Sequence, residues 1–348
     1  MKALVNSLGE KRLKLAERPL PAALDGDEVL LKMVASGVCG TDLKLVEGKI
    51  SGASDGVIMG HESVGDIVEV GANVDSALYP IGSRVVMQPN IVCGNCPKCD
   101  KYQGINDNFC DNHSAYGIIV DGGLSEYAKF NKRNVRRIPE EFTSISSALI
   151  EPIACLLHGF WRIEAAVAEV RQPKFLVIGA GMIGLLWCRI FQCEGYSDIF
   201  CTDQSEERMK IAENLGVKTV KSSDLSGNNH DDTYDVIIDC TGYAPCLTLA
   251  VEKVAKGGTI LVFGCCAEKA VTEVRPFQLY EKEVRIMGSI IYETEKEFDH
   301  AIEYVWKMEQ KGLLNLDDFK IGKYGYHDVE EGWEKLMKKE IPKLILIQ

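Results

Sequence analysis

Apolar residues along this chain change their rhythm near residue 140. Before that point they alternate with polar residues or form short runs. Residues 28–35, 64–71 and 84–87 read as strands, and the opening residues 1–7 as another. After residue 147 short apolar runs alternate with stretches of helical period. Residues 175–179, 198–203, 235–240, 259–264 and 285–288 are strand candidates. Helices fall between them, one running to about Gly195, one starting after Ser205 and one over 245–255. Ser205 suits an N-cap, and Glu206 and Glu207 suit a helix's first turn. This alternation predicts an α/β fold: a β domain followed by a doubly wound parallel sheet with crossover helices. Beyond residue 290, Phe298, Ile302 and Val305 mark one helix, and Val329, Trp333 and Leu336 another. The apolar tail 344–347 is a strand with no place in the parallel sheet. It predicts a return to the first domain.

Composition narrows the function. The chain has 348 residues, enough for two domains, and a formal net charge of −12. An acidic balance argues against a nucleic-acid partner, which needs a basic face. No apolar run is long enough to predict a membrane span, and the N-terminus lacks the apolar core of a signal peptide. The expected compartment is therefore the cytoplasm, where disulfides are rare. Thirteen cysteines then point to metal ligation, catalysis or burial. Cys93, Cys96, Cys99 and Cys110 cluster in one polar loop, and Cys39 stands between glycine-flanked residues. The other eight (155, 188, 193, 201, 240, 246, 265 and 266) read as small buried hydrophobes.

Gly179-Ala180-Gly181-Met182-Ile183-Gly184 is G-x-G-x-x-G, follows a strand and opens a helix. Asp203 ends the next strand nineteen residues on. That context marks a dinucleotide turn. Gly179 permits the bend, Gly181 lets the backbone approach the pyrophosphate, and Gly184 lets the helix pack on the sheet. The N–H groups of Met182 and Ile183 face the phosphates. Asp203 would accept hydrogen bonds from the adenosine ribose, which favours NAD over NADP, while Arg208 partly offsets its charge.

Cys93-x2-Cys96-x2-Cys99 with Cys110 suits tetrahedral zinc in a closed structural site. Other donors are scattered: Cys39 and Thr41 in Gly37–Asp42, His61 and Glu62 after Gly60, and Glu151 before Pro152. Together with the dinucleotide turn these motifs resemble the zinc-dependent medium-chain dehydrogenases, in the branch of sorbitol and other polyol dehydrogenases. The resemblance covers nearly the whole chain and includes Gly122-Gly123-Leu124-Ser125-Glu126-Tyr127. It implies a GroES-like catalytic domain over 1–146 with the C-terminal return 290–348, and a Rossmann domain over 147–289. It implies a catalytic zinc held by Cys39, His61 and a carboxylate, Glu62 or Glu151, with Asp42 orienting His61 through its second ring nitrogen. Thr41 would take the alcohol proton. Homodimers or homotetramers joined through the Rossmann sheet edge are also implied.

Several positions depart from that pattern, among them Gly82-Ser83 where many relatives have Gly-Asp. Ten residues separate Cys99 from Cys110, where relatives have seven. Lys44 replaces a histidine of the proton path. Ile291-Tyr292 stands where sorbitol enzymes carry Arg-Tyr, which weakens sorbitol as the substrate. The expected activity is reversible NAD-linked oxidation of a secondary alcohol of a polyol, sugar or cyclitol. An amino alcohol or aminocyclitol is the alternative, since Glu62, Glu151 and Glu293 tolerate an amine. A non-catalytic cofactor-binding relative is the reading from another class.

Overall fold

The computed structural model describes residues 1–7, 13–50, 52–102, 107–142, 144–225, 233–292 and 294–348. The chain divides into two compact units. The first comprises Met1–Ala154, Glu293–Lys307 and Lys320–Gln348; the second comprises Cys155–Tyr292 and Met308–Phe319.

The first unit is built on the long strand Glu28–Val38. It pairs antiparallel with Glu62–Val70, Tyr127–Asn131 and the tail strand Leu344–Ile347. Arg84–Met87 and Val135–Arg137 extend one side of the sheet, and Gly322–Tyr324 the other. Val29, Leu31, Met33, Ile67, Val85 and Phe130 form the core under this sheet. The tail strand closes a second core with Leu4, Met59, Leu124, Val329 and Leu336. Its register sets Leu344 opposite Val38, next to Cys39. Covering that end explains why Glu28–Val38 alternates at first and is buried without a break over its last four residues.

The second unit carries a six-stranded parallel sheet. Its order is Lys218–Thr219, Ile199–Thr202, Phe175–Ile178, Tyr234–Asp239, Val254–Val262 and Arg285–Gly288. Strand order reverses beside Phe175–Ile178, the switch point where such sheets bind dinucleotides. Phe175–Ile178 is buried at every position, as a strand covered on both faces must be. Strand Val254–Val262 begins earlier than the apolar run at 259, because Gly257 takes a positive φ of 73° and a register shift realigns the pairing.

Two expectations change here. The return segment was expected to lie wholly in the first domain, but Met308–Phe319 groups with the second unit. Lys311 donates to the Cys193 carbonyl at 2.7 Å, and the Arg189 guanidinium lies 3.8 Å from Asp318 and over the Phe319 ring. Nor are all eight remaining cysteines buried. Cys188, Cys193 and Cys201 are, whereas Cys155, Cys240, Cys246 and Cys266 are partly exposed and Cys265 is exposed. The last two follow strand Val254–Val262, beyond the carboxyl ends of the central strands where covering helices stop.

Candidate catalytic metal centre and cofactor turn

The first centre forms where strand Glu28–Val38 gives way to helix Gly40–Val46. Cys39 is the helix N-cap, with extended backbone. Asp42 lies in the first turn, and its Oδ2 accepts the Cys39 N–H at 2.8 Å, which fixes the thiol at the junction. Thr41 Oγ1 lies 3.8 Å from Cys39 Sγ. The neighbouring strand brings His61 and Glu62 alongside, with Glu62 opposite Gly37. One donor atom each from Cys39, His61 and Glu62 falls within 4.8 Å of the others. His61 and Glu62 are buried.

The electrostatics of this trio suit a cation. Burial works against a charged His61, yet Asp42, Cys39 and Glu151 together hold its pKa well above the usual imidazole value. Burial pushes the Asp42 carboxyl up. Glu62 Oε1 and His61 Nδ1 are buried without a hydrogen-bond partner. A soft thiolate, an imidazole and a carboxylate, with surplus negative charge around them, match the donor set of a catalytic zinc.

Asp42 does not grip His61 as expected. Its Oδ1 lies 3.8 Å from His61 Nδ1, beyond hydrogen-bond length, because its other oxygen caps the helix. Glu151, buried in the first turn of helix Ile150–Ala168, stands outside the converging trio and acts on His61 by charge. Lys343, which sequence reasoning missed, makes a buried ion pair with Glu62. Glu293 lies outside the described residues.

The four-cysteine loop converges tightly. Its Sγ atoms are separated by 3.8 Å for Cys93 and Cys99, 3.4 Å for Cys96 and Cys99, 4.0 Å for Cys96 and Cys110, and 3.5 Å for Cys110 and Cys93. Zinc–sulfur bonds of about 2.3 Å in a tetrahedron give sulfur–sulfur edges of about 3.8 Å, so the cage fits zinc. Thiolates this close repel unless a cation neutralises them. The Asn95 N–H and the Asn112 amide lower Cys93 to about 6, while burial pushes Cys99 up to about 12. The Asp111 N–H also points at Cys96 Sγ, at 3.4 Å. Residues 103–106 of the lengthened loop lie outside the described ones; on either side Tyr102 and Phe109 meet edge to face at 5.5 Å.

The cofactor turn stands in the second unit. Gly179 has φ 102°, a conformation side chains resist. A Cβ on Gly184 would come within 1.8 Å of the Gly179 carbonyl oxygen. Helix Met182–Cys193 follows, and its Leu185 N–H bonds Gly181 O at 3.0 Å. The N–H groups of Met182, Ile183 and Gly184 are thus left facing outward for an anion. The Met182 side chain is buried and Ile183 partly exposed, so both contribute to the turn through backbone. Asp203 Oδ2 accepts the Ala180 N–H at 2.8 Å and Oδ1 the Ser205 N–H at 2.9 Å. The carboxylate therefore braces the turn it was expected to serve. Arg208 Nη1 is 3.7 Å from Asp203, and Ser205 Oγ caps the next helix by accepting the Arg208 N–H.

Family models match segments in both halves of the chain. The alcohol dehydrogenase GroES-like domain model matches residues 25–140, and the zinc-binding dehydrogenase model matches 181–307. D-altritol 5-dehydrogenase of Agrobacterium fabrum is 33% identical over 80% of this chain and 81% of its own length. An L-threonine 3-dehydrogenase of a Chelativorans species is 30% identical over 76% of each chain. Among solved structures, galactitol-1-phosphate dehydrogenase from Escherichia coli superposes with a TM-score of 0.86 at 26% identity, covering 100% of both chains.

Proposed function

The chain belongs to the zinc-dependent medium-chain dehydrogenases, in the polyol-dehydrogenase-like branch, and from that premise we propose that it oxidises a secondary alcohol of a polyol, sugar or cyclitol to the ketone, with NAD as acceptor. The observation that carries this reading is the meeting of Cys39, His61 and Glu62 donors within 4.8 Å. When bound, zinc supplies Lewis acidity that lowers the pKa of an alcohol, and NAD supplies the hydride acceptor. Cys39 and His61 would hold the metal, with Glu151 or Glu62 as the carboxylate. The Thr41 hydroxyl, beside Cys39, would take the alcohol proton. Burial of His61 and Glu62 keeps water from competing for the same donors. Asp203 and the turn Gly179–Gly184 would hold the adenosine ribose and pyrophosphate. The negative charge of Asp203 would repel a 2′-phosphate, which supports NAD.

An amino-alcohol substrate is the second reading, favoured by the resemblance to threonine dehydrogenase and by the acidic surroundings of His61. Purified protein assayed with NAD and with NADP against polyols, sugars, cyclitols and amino alcohols separates the two. We expect turnover of a polyol-type alcohol with NAD. Turnover of amino alcohols alone replaces the substrate class, and an NADP preference overturns the role given to Asp203.

We also read the sheet edge as a self-association surface. Strand Arg285–Gly288 ends the parallel sheet, and Phe277, Tyr280, Ile286 and Ile290 are exposed on the same segment. An exposed strand edge with apolar side chains invites pairing with a second copy. Ile290→Glu is expected to shift the particle toward monomer in light scattering. A parent protein already monomeric removes this reading.

A further inference from the structure

The second unit gathers thiols where its central strands end. Cys240 follows strand Tyr234–Asp239, Cys246 stands in the first turn of helix Pro245–Lys253, and Cys265 and Cys266 come after strand Val254–Val262. The alcohol chemistry uses none of them. The loops that carry them are pressed together at the backbone. A Cβ on Gly264 would overlap the Gly242 nitrogen. One on Gly242, where φ is 63°, would overlap the Cys265 oxygen and stand 3.4 Å from the Cys266 nitrogen. The Phe263 and Gly264 N–H groups both donate to the Asp239 carbonyl, at 3.0 and 2.7 Å. Cys246 is held just beyond Gly242, its N–H donating to the Tyr243 carbonyl at 2.9 Å. Gly242 thus stands between the segments that bear Cys246 and Cys266, with no side chain to separate them.

The same loop borders the cofactor turn. Thr241 Cγ2 lies 3.1 Å from where a Cβ on Gly179 would stand. Thr241 Oγ1 donates to Asp239 Oδ1 at 2.6 Å and accepts the Tyr243 N–H at 3.0 Å. Burial pushes the Cys246 thiol up against a hydrogen bond with Thr241, and the charges of Asp239, Cys266 and Asp203 push the same way. Cys246 therefore faces both Cys266 and the carboxylate assigned to the adenosine ribose.

We propose that Cys246 and Cys266 are a peroxide-sensitive dithiol whose disulfide narrows the adenosine end of the cofactor site. The proposal rests on the reading of the Gly179–Gly184 turn and Asp203 as that site. Cys246 is held protonated and is a poor attacking thiol, so the partly exposed Cys266 reacts first. Its thiolate attacks one peroxide oxygen; the S–O bond forms, the O–O bond breaks, and the second oxygen leaves as water. Cys246 sulfur then attacks Cys266 sulfur, the S–O bond breaks, and the hydroxide leaves with the Cys246 proton as a second water. Two thiols are oxidised by two electrons and one peroxide is reduced. The bond draws the start of helix Pro245–Lys253 toward Cys266 and moves Thr241 against Gly179. Loss of one hydrogen bond between Asp203 and a ribose hydroxyl corresponds to about tenfold weaker binding.

The test treats the zinc-loaded protein with hydrogen peroxide and reads NADH affinity by fluorescence, before and after oxidation and again after dithiothreitol. Trypsin separates Cys246, in peptide 222–253, from Cys266, in peptide 257–269, so mass spectrometry detects the bridge and fragmentation assigns its sulfurs. Oxidation is expected to link the two peptides through Cys246 and Cys266 and to weaken NADH binding about tenfold, with recovery on reduction. In Cys246→Ser and in Cys266→Ser the oxidised and reduced affinities should be equal, whereas Cys265→Ser should respond as the parent does. Both pair variants keep every zinc ligand, so a peroxide response that persists in either arises elsewhere and overturns the proposal. So does a bridge through Cys240 or Cys265, or a Cys246–Cys266 bridge with unchanged NADH affinity. Either variant decides alone if the other does not fold. A reduced parent protein that binds no NADH defeats the cofactor reading itself, which is a separate outcome.

Discussion

Replacing His61 with alanine is expected to lower NAD-linked turnover by about three to four orders of magnitude, with the chain still folded. The magnitude follows from what the metal supplies. Lewis-acid stabilisation of developing charge contributes several kcal/mol, and each ~1.4 kcal/mol is tenfold in rate. His61 offers the neutral nitrogen of a trio whose other members, Cys39 and Glu62, are anionic. Its loss leaves two donors of the trio. Metal analysis provides the second readout. Two donor groups exist among the described residues, so zinc should fall from two ions per chain to the single ion of the cysteine loop. Cys39→Ser should behave in the same way. Retention of both ions with full turnover in either variant would falsify the zinc mechanism. Retention of both ions with lost turnover would instead make His61 a proton carrier.

Much of this architecture was legible because burial writes itself into sequence. Phe175–Ile178 is buried at every position and reads as an unbroken apolar run, and the apolar residues 236–238 mark the buried centre of Tyr234–Asp239. The tail 344–347 could be assigned to the first domain because it had no place in the parallel sheet. Segment Met308–Phe319 was not legible. Its place is set by Arg189 and Lys311, two surface-type residues whose partners lie far away in sequence. Strand Val254–Val262 was shortened in the reading because lysine and two glycines interrupt its apolar signal.

The site was legible in its donors and not in its supports. The four-cysteine loop announces itself by residue type and spacing, whereas the scattered donors Cys39, His61, Glu62 and Glu151 gained meaning only together with that loop and the dinucleotide turn. Asp42 was identified, but its first duty is to cap the helix that carries Cys39, and a local backbone bond of 2.8 Å claims the oxygen. Asp203 was expected to serve the ribose, and its carboxylate is already engaged in bracing Ala180. Lys343 was missed because a lysine before a terminal strand reads as solvated. Its burial depends on a register between Leu344 and Val38 that only the folded sheet establishes.

Cys110→Ser is expected to lower the thermal midpoint by about 10 °C and to release the loop's zinc, while Cys265→Ser changes the midpoint by less than about 2 °C. Both replace a sulfur with an oxygen, so the contrast isolates what each sulfur does. Cys110 is buried and lies within 4.0 Å of Cys96 and 3.5 Å of Cys93. A hydroxyl there is a poor zinc ligand, and three thiolates do not close a tetrahedron. Loss of a structural metal belongs among the few mechanisms costing more than about 4 kcal/mol. At about 2–4 °C per kcal/mol, that loss corresponds to the expected shift. Cys265 is exposed, and a surface substitution of this size stays within about 0.5 kcal/mol. The sheet under the loop has its own core of Val29, Leu31, Ile67 and Phe130, so the damage should stay local. Limited proteolysis should therefore cut Cys110→Ser between residues 93 and 110 before any other site. An unchanged midpoint with zinc lost would mean that the lengthened loop holds its shape through contacts of its own, such as Tyr102 on Phe109, and that its metal is dispensable to the fold.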